Sequence, residues 1–324
     1  MDWFATPFSD LQGWLFESLL QPMMFNLGLA NFLEDGFAAT GWLLAGLLQL
    51  AVLLALIGPL ERWRPVEPVT DPATVRVDVI YTLIHRLGLF RLVLFFALDP
   101  LFDQLFGTLR LAGWHTWQLD AVWPGVSDLP WVSLLLYLVV LDFVRYWVHR
   151  SEHHWDWWWR LHALHHAQRQ LTMWSDNRNH LLDDVIGATV FAVVAQAIGV
   201  APGQFVAIVA LTQLSESFQH ANLRLWFGPL GERLWVSPRF HRFHHAVGIG
   251  IQGKNFGVLL PCWDMLFGTA NFEPVFGPTG VRDQIDEGRD YGNGFWSQQW
   301  LGLLRLVGVT QTDADDGKAA QRIG

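Results

Sequence analysis

Cysteine and charged side chains are both scarce in this 324-residue sequence. Its one cysteine, Cys262, excludes an intrachain disulfide, a CxxC zinc site and an iron–sulfur cluster built from this chain alone. Charged residues make up 16% of the chain, against roughly 25% in typical soluble domains. The formal net charge of -9 provides no global basic field, so nucleic acid is not an expected partner.

Apolar and aromatic side chains are abundant instead, at 52% hydrophobic residues with 19 Trp and 23 Phe. Residues 39–60 carry no charge and match the ~20 residues that span a bilayer. Residues 131–148 form another predicted span, and a further span is expected within 77–107. Residues 185–219 predict a helical hairpin, because their first helix is short for a full crossing. Residues 1–37 lack the basic start of a signal peptide and predict an interfacial helix.

The arginines indicate how the chain crosses the membrane. No Lys or Arg precedes Arg62, whereas the 99–130 connection has four aspartates against one arginine, Arg110. Five arginines then follow between 145 and 178. The positive-inside rule therefore predicts an N-terminus outside the cell and a cytoplasmic histidine region, in the inner membrane if the cell is bacterial. Together the patterns predict an all-α, polytopic membrane protein with a cytoplasmic helical cap.

Three histidine clusters dominate the functional signal. An HxxxH pair comes first, an HxxHH pattern follows it, and the HxxHH pattern returns about 80 residues later. On a helix, residues three and four apart share one face, so each cluster directs two or three imidazoles at one point. Two such patterns among 13 histidines are improbable by chance, whereas a lone histidine is more often structural. The predicted metal ligands are therefore His149, His153, His162, His165, His166, His241, His244 and His245.

Two isolated histidines are further candidate ligands. His220 follows Glu216 by four positions, which places both on one helical face, and His180 stands alone. Metal-bound histidines usually donate their second N–H to a carboxylate or a carbonyl. Asp142, seven residues before His149, is the preferred partner, with Arg145 as the competing neighbour of that carboxylate. Weaker candidates for the partner role are Glu152, Asp184, Glu216 and Asn222.

Neutral imidazole suits Fe, Zn, Cu and Ni, so the residues alone do not name the metal. A membrane zinc hydrolase is one alternative, but no HExxH occurs and three protein ligands are typical of a catalytic zinc. A metal transporter or other non-enzymatic metal-binding protein is a second alternative. Transport favours ligands at the middle of the membrane, whereas these clusters lie beyond the ends of the predicted spans.

Motifs across the region from Arg76 to Asn271 resemble those of the fatty acid hydroxylase/sterol desaturase superfamily. The resemblance rests on D-x-x-x-Y-W-x-H-R-x-x-H, L-H-x-x-H-H, the His-Ala-Asn step, S-P-x-x-H-x-x-H-H and W-D-x-x-F-G-T, in that order. It implies a cytoplasmic centre of two iron ions, in which zinc could substitute during purification. It also implies oxidation of a lipid C–H bond by O2, either hydroxylation or desaturation, in an acyl, sterol or other isoprenoid chain.

The resemblance carries the metal-binding role to the eight clustered histidines and to His220. His180 lies where many members have Arg-x-His-Pro, but this chain has Asn179-His180-Leu181. Glu216 replaces a histidine that some members have, so the resemblance leaves two alternatives for one metal, a carboxylate ligand or one imidazole fewer. Asp142, Glu216 and Asn222 are the expected residues acting beside the metal.

The sequence contains no GxGxxG and no cysteine-ligated cluster, and no haem-binding segment is recognisable. Two electrons for O2 must then come from a separate donor protein. The predicted organisation has three parts: residues 1–70 hold the interfacial helix and the first span, residues 71–275 form the hydroxylase-like catalytic domain, and residues 276–324 hold an amphipathic segment and a disordered tail.

Overall fold

The computed structural model describes residues 2–248 and 253–309. Within them the chain is helical, with one isolated antiparallel bridge between Ala246 and Thr279. The expected all-α class is confirmed for this part of the chain. The predicted tail from Thr310 onwards lies outside the described residues.

The N-terminal region forms one long apolar helical run after two shorter helices. The continuous segment Ala30–Trp63 has 34 residues, and its most apolar 18 residues have a mean hydropathy of 2.4, so by length and composition it could cross a membrane. It contains the predicted span 39–60, and a π-helical turn interrupts its regular helix at Leu53–Ile57. The helices here are α1 (Asp2–Leu15), α2 (Gln21–Asn26), α3 (Leu33–Val52) and α4 (Gly58–Trp63).

The region from 72 to 111 differs from the expected single span, because it folds as three shorter helices. Gly88 adopts the left-handed conformation at φ 80°, which ends the first helix, and Pro100 begins the third, where it needs no N–H donor. None of the three has the 18 or more apolar residues that a crossing requires. They are α5 (Pro72–Arg86), α6 (Leu89–Ala97) and α7 (Asp99–Leu111).

Two helices that meet at Trp155 bring the first two histidine clusters side by side. Helix α8 (Pro130–His154) is the second candidate membrane span, with 25 residues and a mean hydropathy of 1.6 over its most apolar 18 residues. Its last turns carry His149 and His153 beyond the apolar stretch. The extended conformation of Trp155 ends α8, and α9 (Asp156–His166) begins at the next residue.

The predicted helical hairpin is present as α10 (Leu181–Ala197) and α11 (Pro202–His220). Gly199, at φ 78°, permits the tight connection, and the rings of Phe191 and Phe205 lie 5.6 Å apart across the pair. This hairpin packs against α8 through a buried core that includes Tyr137, Leu141 and Ile208. The core fixes the end of α11, where His220 lies, beside the end of α8.

The remaining described chain covers the histidine end of the bundle with short helices and ordered loops. Ser237 accepts a hydrogen bond from the Phe240 amide and so caps the helix that carries His241 and His244. The last helix packs on α9, where Arg305 donates to the Arg160 carbonyl. These helices are α12 (Gly228–Gly231), α13 (Pro238–His244), α14 (Cys262–Phe267), α15 (Arg282–Asp286) and α16 (Phe295–Leu306).

Candidate metal centre

Nine histidines from four helices meet in one buried region of the molecule. They come from the ends of α8, α9, α11 and α13, which converge because the bundle core aligns those ends. Their possible ligand atoms form groups in which all members lie within 4.8 Å of one another. The nine are His149, His153, His162, His165, His166, His220, His241, His244 and His245.

The first group contains four buried histidines, His165, His220, His241 and His245. The Nε2 atoms of successive rings lie 3.1 Å apart, from His165 to His220, from His220 to His241 and from His241 to His245. Metal–nitrogen bonds of about 2.0–2.1 Å place the ligand atoms of one ion roughly 3 Å apart. The spacing of these four nitrogens therefore fits a shared cation.

The second group consists of His149, His153, His162 and His166, with His244 beside them. Buried Nε2 atoms without a hydrogen-bond partner occur on four of the five rings, those of His153, His162, His166 and His244. Burying such nitrogens without a partner is costly, and a bound metal would satisfy them together. The rings of His166 and His245 stack at 4.3 Å and join the second group to the first.

Backbone carbonyls orient three of the rings. His149 Nδ1 lies 2.9 Å from the Phe256 carbonyl, His220 Nδ1 2.8 Å from that of Glu216, and His244 Nδ1 2.8 Å from that of Lys254. A carbonyl only accepts, so each Nδ1 carries the proton and each Nε2 keeps its lone pair. This is the arrangement by which proteins fix the tautomer of a metal-binding histidine.

A carboxylate orients a fourth ring. His162 Nδ1 lies 3.0 Å from Asp183 Oδ2, and Glu152 Oε2 lies 3.5 Å from the same nitrogen. The second oxygen of Asp183 accepts from the Trp158 indole at 2.6 Å, which holds the carboxylate in place. Burial alone lowers the pKa of His162, but Glu152 and Asp183 outweigh burial and raise it.

Burial keeps the other rings in the neutral form that binds metal. Burial first, and neighbouring imidazoles second, hold the pKa values of His165, His166, His241 and His245 well below the ordinary value. For His244, burial lowers the pKa to about 3. Near neutral pH these imidazoles are therefore unprotonated and able to donate to a cation.

Asp142 does not contact His149, contrary to the sequence-based expectation. Its carboxylate accepts from the Leu259 and Leu260 amides and from the Trp263 indole, at 2.8 to 3.1 Å. Seven residues place two side chains on one helical face, but they lie about 10 Å apart along the axis. Asp142 therefore anchors the 259–263 segment against α8.

Two other candidates, Glu216 and Asn222, also lie outside the histidine groups. Glu216 forms an ion pair with Arg145 at 2.8 Å, and only its backbone carbonyl reaches His220. Asn222 accepts from the Val66 and Glu67 amides and ties that loop to the end of α11.

His180 is not brought to the other histidines. Its Nε2 lies 3.0 Å from the Gln299 carbonyl, and its Nδ1 accepts from the Leu182 amide at 3.1 Å. Both ring nitrogens are therefore engaged within the protein. The structure gives no support to a ligand role for His180, which acts as the cap of α10.

Asp183 is the contact that sequence reasoning missed. The neighbouring Asp184 was the weaker candidate, but its carboxylate pairs with His85 at 3.3 Å. Both aspartates occupy the first turn of α10, and a rotation of about 100° per residue directs one to α9 and the other to α5. The sequence shows two adjacent acids close to a histidine motif. Which of the two contacts His162 depends on how α9 and α10 pack together.

A cavity of about 240 Å³ opens directly beside the centre. Histidines of both groups line one end of it, including His149, His162, His165 and His220. Aromatic and aliphatic side chains line much of the rest. A cavity that reaches a group of nitrogen ligands and has both apolar and charged lining can admit an amphipathic lipid. The apolar lining includes Trp42, Phe90, Leu94, Leu98, Phe102, Phe191, Phe205 and Val209.

The donor set fits a pair of transition-metal ions. Each histidine group offers at least four nitrogen atoms, and imidazole suits Fe, Zn, Cu and Ni. A typical catalytic zinc takes three protein ligands, so nine imidazoles exceed what a single hydrolytic zinc requires. The geometry is that of two adjacent sites joined by His166 and His245.

Comparison with known proteins agrees with this site. The model of the family described as fatty acid hydroxylase matches residues 134–269, which contain all nine converging histidines. No solved structure matches the chain. The motif resemblance to the fatty acid hydroxylase/sterol desaturase superfamily is thereby confirmed.

Three curated relatives indicate the breadth of the similarity. The chain is 27% identical to ornithine lipid hydroxylase OlsE of Rhizobium tropici over 72% of this chain and 70% of that protein. It is 28% identical to alkylglycerol monooxygenase of Caenorhabditis elegans, over 51% of this chain and 32% of that protein. It is 25% identical to methylsterol monooxygenase 1-3 of Arabidopsis thaliana, over 52% of this chain and 60% of that protein. The chain thus spans about a third of the length of the Caenorhabditis protein.

Proposed function

Residues 134–269 belong to the fatty acid hydroxylase family, and from this premise we propose that the chain is a membrane-bound oxidoreductase that oxidises a lipid C–H bond with O2. The carrying observation is the set of nine converging histidines beside an apolar cavity. The relatives are named hydroxylases and monooxygenases of ornithine lipids, alkylglycerols and methylsterols. A lipid that enters from the bilayer is the substrate class that agrees with the names and with the cavity.

Two iron ions are the proposed cofactor, held by the two histidine groups. Bound iron would supply the activation of O2, which side chains cannot perform. The protein's own residues bind and orient: carbonyls and Asp183 hold the Nδ1 protons, so that the Nε2 atoms face the metal. The buried position of the rings excludes water from the reacting groups.

The reaction requires reducing equivalents that this chain does not supply. In a hydroxylation one oxygen atom enters the C–H bond, and the other leaves as water with two electrons and two protons. Because the sequence has no nicotinamide-binding motif or cysteine-ligated cluster, we propose a separate electron-donor protein. The predicted cytoplasmic position of the centre would suit such a donor.

Metal analysis tests this proposal most directly. We expect about two irons per chain in the detergent-purified protein, measured by elemental analysis and Mössbauer spectroscopy. The double variant His165→Ala/His244→Ala should lose the metal, because it removes one ligand from each of the two regions. The variant His180→Ala is the matched control and should retain it, since His180 lies outside both groups.

The zinc hydrolase alternative makes the opposite prediction. One zinc per chain, with no iron bound even after anaerobic reconstitution, would overturn the oxidative proposal. Loss of iron in His180→Ala to the same extent as in the double variant would overturn the assignment of the ligands.

A further inference from the structure

The types of residue that line the cavity beside the centre change with distance from the histidines. Along α11, the cavity-lining residues run from His220 through Glu216 and Gln213 to Phe205. At 1.5 Å per residue, Glu216 lies about 6 Å from His220 along the helix axis, and Phe205 about 22 Å from it. The order on this helix is therefore metal ligands first, then a charged and polar zone, then an aromatic zone.

Helix α3 shows the same order independently. Gln49 donates to the Ala210 carbonyl at 2.7 Å, and its amide lies 3.4 Å from the Gln213 side chain. Seven residues earlier, the Trp42 ring lies 6.2 Å from that of Phe205. The two helices run parallel, so Gln49 lies level with Gln213 and Trp42 lies level with Phe205. The polar and aromatic zones therefore occur on both helices. Arg91 also lines the cavity at the aromatic level, where its guanidinium lies over the Trp42 ring at 3.7 Å and the Phe205 ring at 5.8 Å, so the aromatic zone holds one cation stacked on its rings.

Three pairs of charged or ionisable side chains form the zone next to the histidines, and together they define what we call the ionic layer. Within this layer Arg145 is the most accessible charge, because 32% of its side chain is exposed although it lines the cavity. Its partner Glu216 is 15% exposed. The pairs are Arg145–Glu216 at 2.8 Å, Arg86–Asp176 at 3.2 Å and His85–Asp184 at 3.3 Å.

An aliphatic chain end is a poor occupant of this layer. To reach the histidines it would displace water from Arg145 and Glu216 without offering hydrogen bonds in return, and desolvating charged groups is costly. A polar group that both donates and accepts would replace that water. A guanidinium binds acceptors through several N–H groups, and a carboxylate binds donors.

We propose that Arg145 and Glu216 hold the polar group of the lipid, so that the substrate enters with that group toward the metal centre and its chain toward Phe191 and Phe205. This inference rests on the proposed lipid oxidation and narrows the class of lipid that serves as substrate. The substrate class is an amphipathic lipid whose polar group carries both donors and acceptors, as a hydroxyl, an amide or a zwitterionic group does. The oxidised carbon lies in or beside that group, within about 6 Å of the level of Arg145.

Lipids retained by the purified protein test the binding step without any turnover. We would extract them from wild type, Arg145→Gln/Glu216→Gln, Arg145→Lys and Phe205→Ala, and identify them by mass spectrometry. Wild type should be enriched in one polar-group class relative to the bulk membrane. The double variant should lose that enrichment about tenfold or more, because charge-assisted hydrogen bonds typically contribute at least that factor.

The other variants separate recognition of the polar group from recognition of the chain. Arg145→Lys keeps the charge but not the fork of donors, so its loss should be smaller. Phe205→Ala should change the chain lengths retained and leave the polar-group class unchanged. Asp283→Asn breaks an ion pair with Arg289 outside the cavity and is the matched control. Unchanged polar-group enrichment in a double variant that still binds metal would overturn the proposal.

Isotope labelling tests the position of attack. The iron-loaded enzyme, with its retained lipid, would be reduced chemically and exposed to 18O2, and the products would be fragmented in the mass spectrometer. We expect 18O in the fragment that carries the polar group, and 18O in the distal half of the chain would overturn the inference. A new C=C bond without 18O would mark desaturation, in which both oxygen atoms leave as water, and its position would test the inference in the same way. Products with neither 18O nor a new C=C bond, with the polar-group selection intact, would contradict the lipid oxidation and leave the binding role of Arg145 and Glu216 standing.

Discussion

At the scale of single residues, the hydrogen-bond partner of a histidine Nδ1 decides whether its Nε2 is free to bind a metal. Carbonyls hold His149, His220 and His244, whereas His162 alone among the oriented rings depends on a side chain, Asp183. A side-chain carboxylate can be replaced by mutation, whereas a backbone carbonyl cannot. Substitution of Asp183 is therefore the most direct test of how these partners support the centre.

We predict that Asp183→Asn weakens metal binding about 10–100-fold, as loss of such partners typically does. His162 and the Trp158 indole donate to different oxygens of Asp183, and asparagine replaces one of these oxygens with an NH2 donor, so one of the two bonds is lost. Competition with a chelator would measure the effect. Asp184→Asn should bind metal as wild type does, because that carboxylate pairs with His85.

Trp158→Phe separates the two bonds of Asp183. It removes the indole donor and leaves the His162 contact in place, so we expect metal affinity close to that of wild type. An affinity loss equal to that of Asp183→Asn would show that the carboxylate supports packing and not the ring of His162.

At the scale of helices, close approach of α3 and α5 holds the candidate span against the helices around the centre. Gly46 is where they meet: a Cβ added there would lie 1.7 Å from the Arg86 carbonyl oxygen. Arg86 also donates to Asp176 and Ser217, so α5 has little freedom to move away. The missing side chain at Gly46 permits this contact.

We predict that Gly46→Ala destabilises the protein by about 1–3 kcal/mol, the usual cost of overpacking a well-packed contact. The unfolding midpoint in detergent should fall accordingly. Gly107→Ala is the control, because a Cβ there meets nothing within 4 Å. Alanine in a helix interior is favoured over glycine by about 0.5–1 kcal/mol, so this control should unfold at or above the wild-type temperature. Equal midpoints for the two variants would contradict the close approach.

At the scale of the whole molecule, the buried histidines link folding to pH. In the unfolded chain a histidine takes up a proton near its ordinary pKa of 6.5, whereas burial lowers that of folded His244 to about 3. The unfolded state therefore binds more protons between these values, and stability falls as the pH is lowered. His165, His241 and His245 shift in the same direction and add to the effect.

We predict that the metal-free protein loses stability steadily below about pH 6.5, with uptake of more than one proton on unfolding. The metal-bound protein should resist acid further, because bound metal competes with protons for the Nε2 atoms. Thermal unfolding of both forms between pH 7 and 5 would measure the difference. A metal-free midpoint that does not change with pH would contradict neutral, buried histidines.

The orientation in the membrane is a second prediction at this scale. The arginine distribution predicts a cytoplasmic centre. Helix α8 separates exposed Asp128 from exposed Asp156. In a Cys262→Ser background, Asp128→Cys should react with a membrane-impermeant maleimide in intact cells, and Asp156→Cys only after lysis. The reverse pattern would invert the proposed topology.

The sequence by itself determined the features that depend on residues close together in the chain. These are the histidine spacing, the apolar segment 39–60 and the hairpin around Gly199. A helical period fixes which histidines share a face, as it does for His162 and His166 against His165.

Only the tertiary structure decided how those faces meet. His165 and His220 are 55 residues apart in the chain, yet their Nε2 atoms lie 3.1 Å from one another. Tertiary packing likewise places the Asp183 carboxylate beside His162. It places His180 against the Gln299 carbonyl, away from the other histidines, and Asp142 against the 259–263 segment. Such contacts depend on how distant helices pack, and the short-range periodicity of a sequence carries no information about that packing.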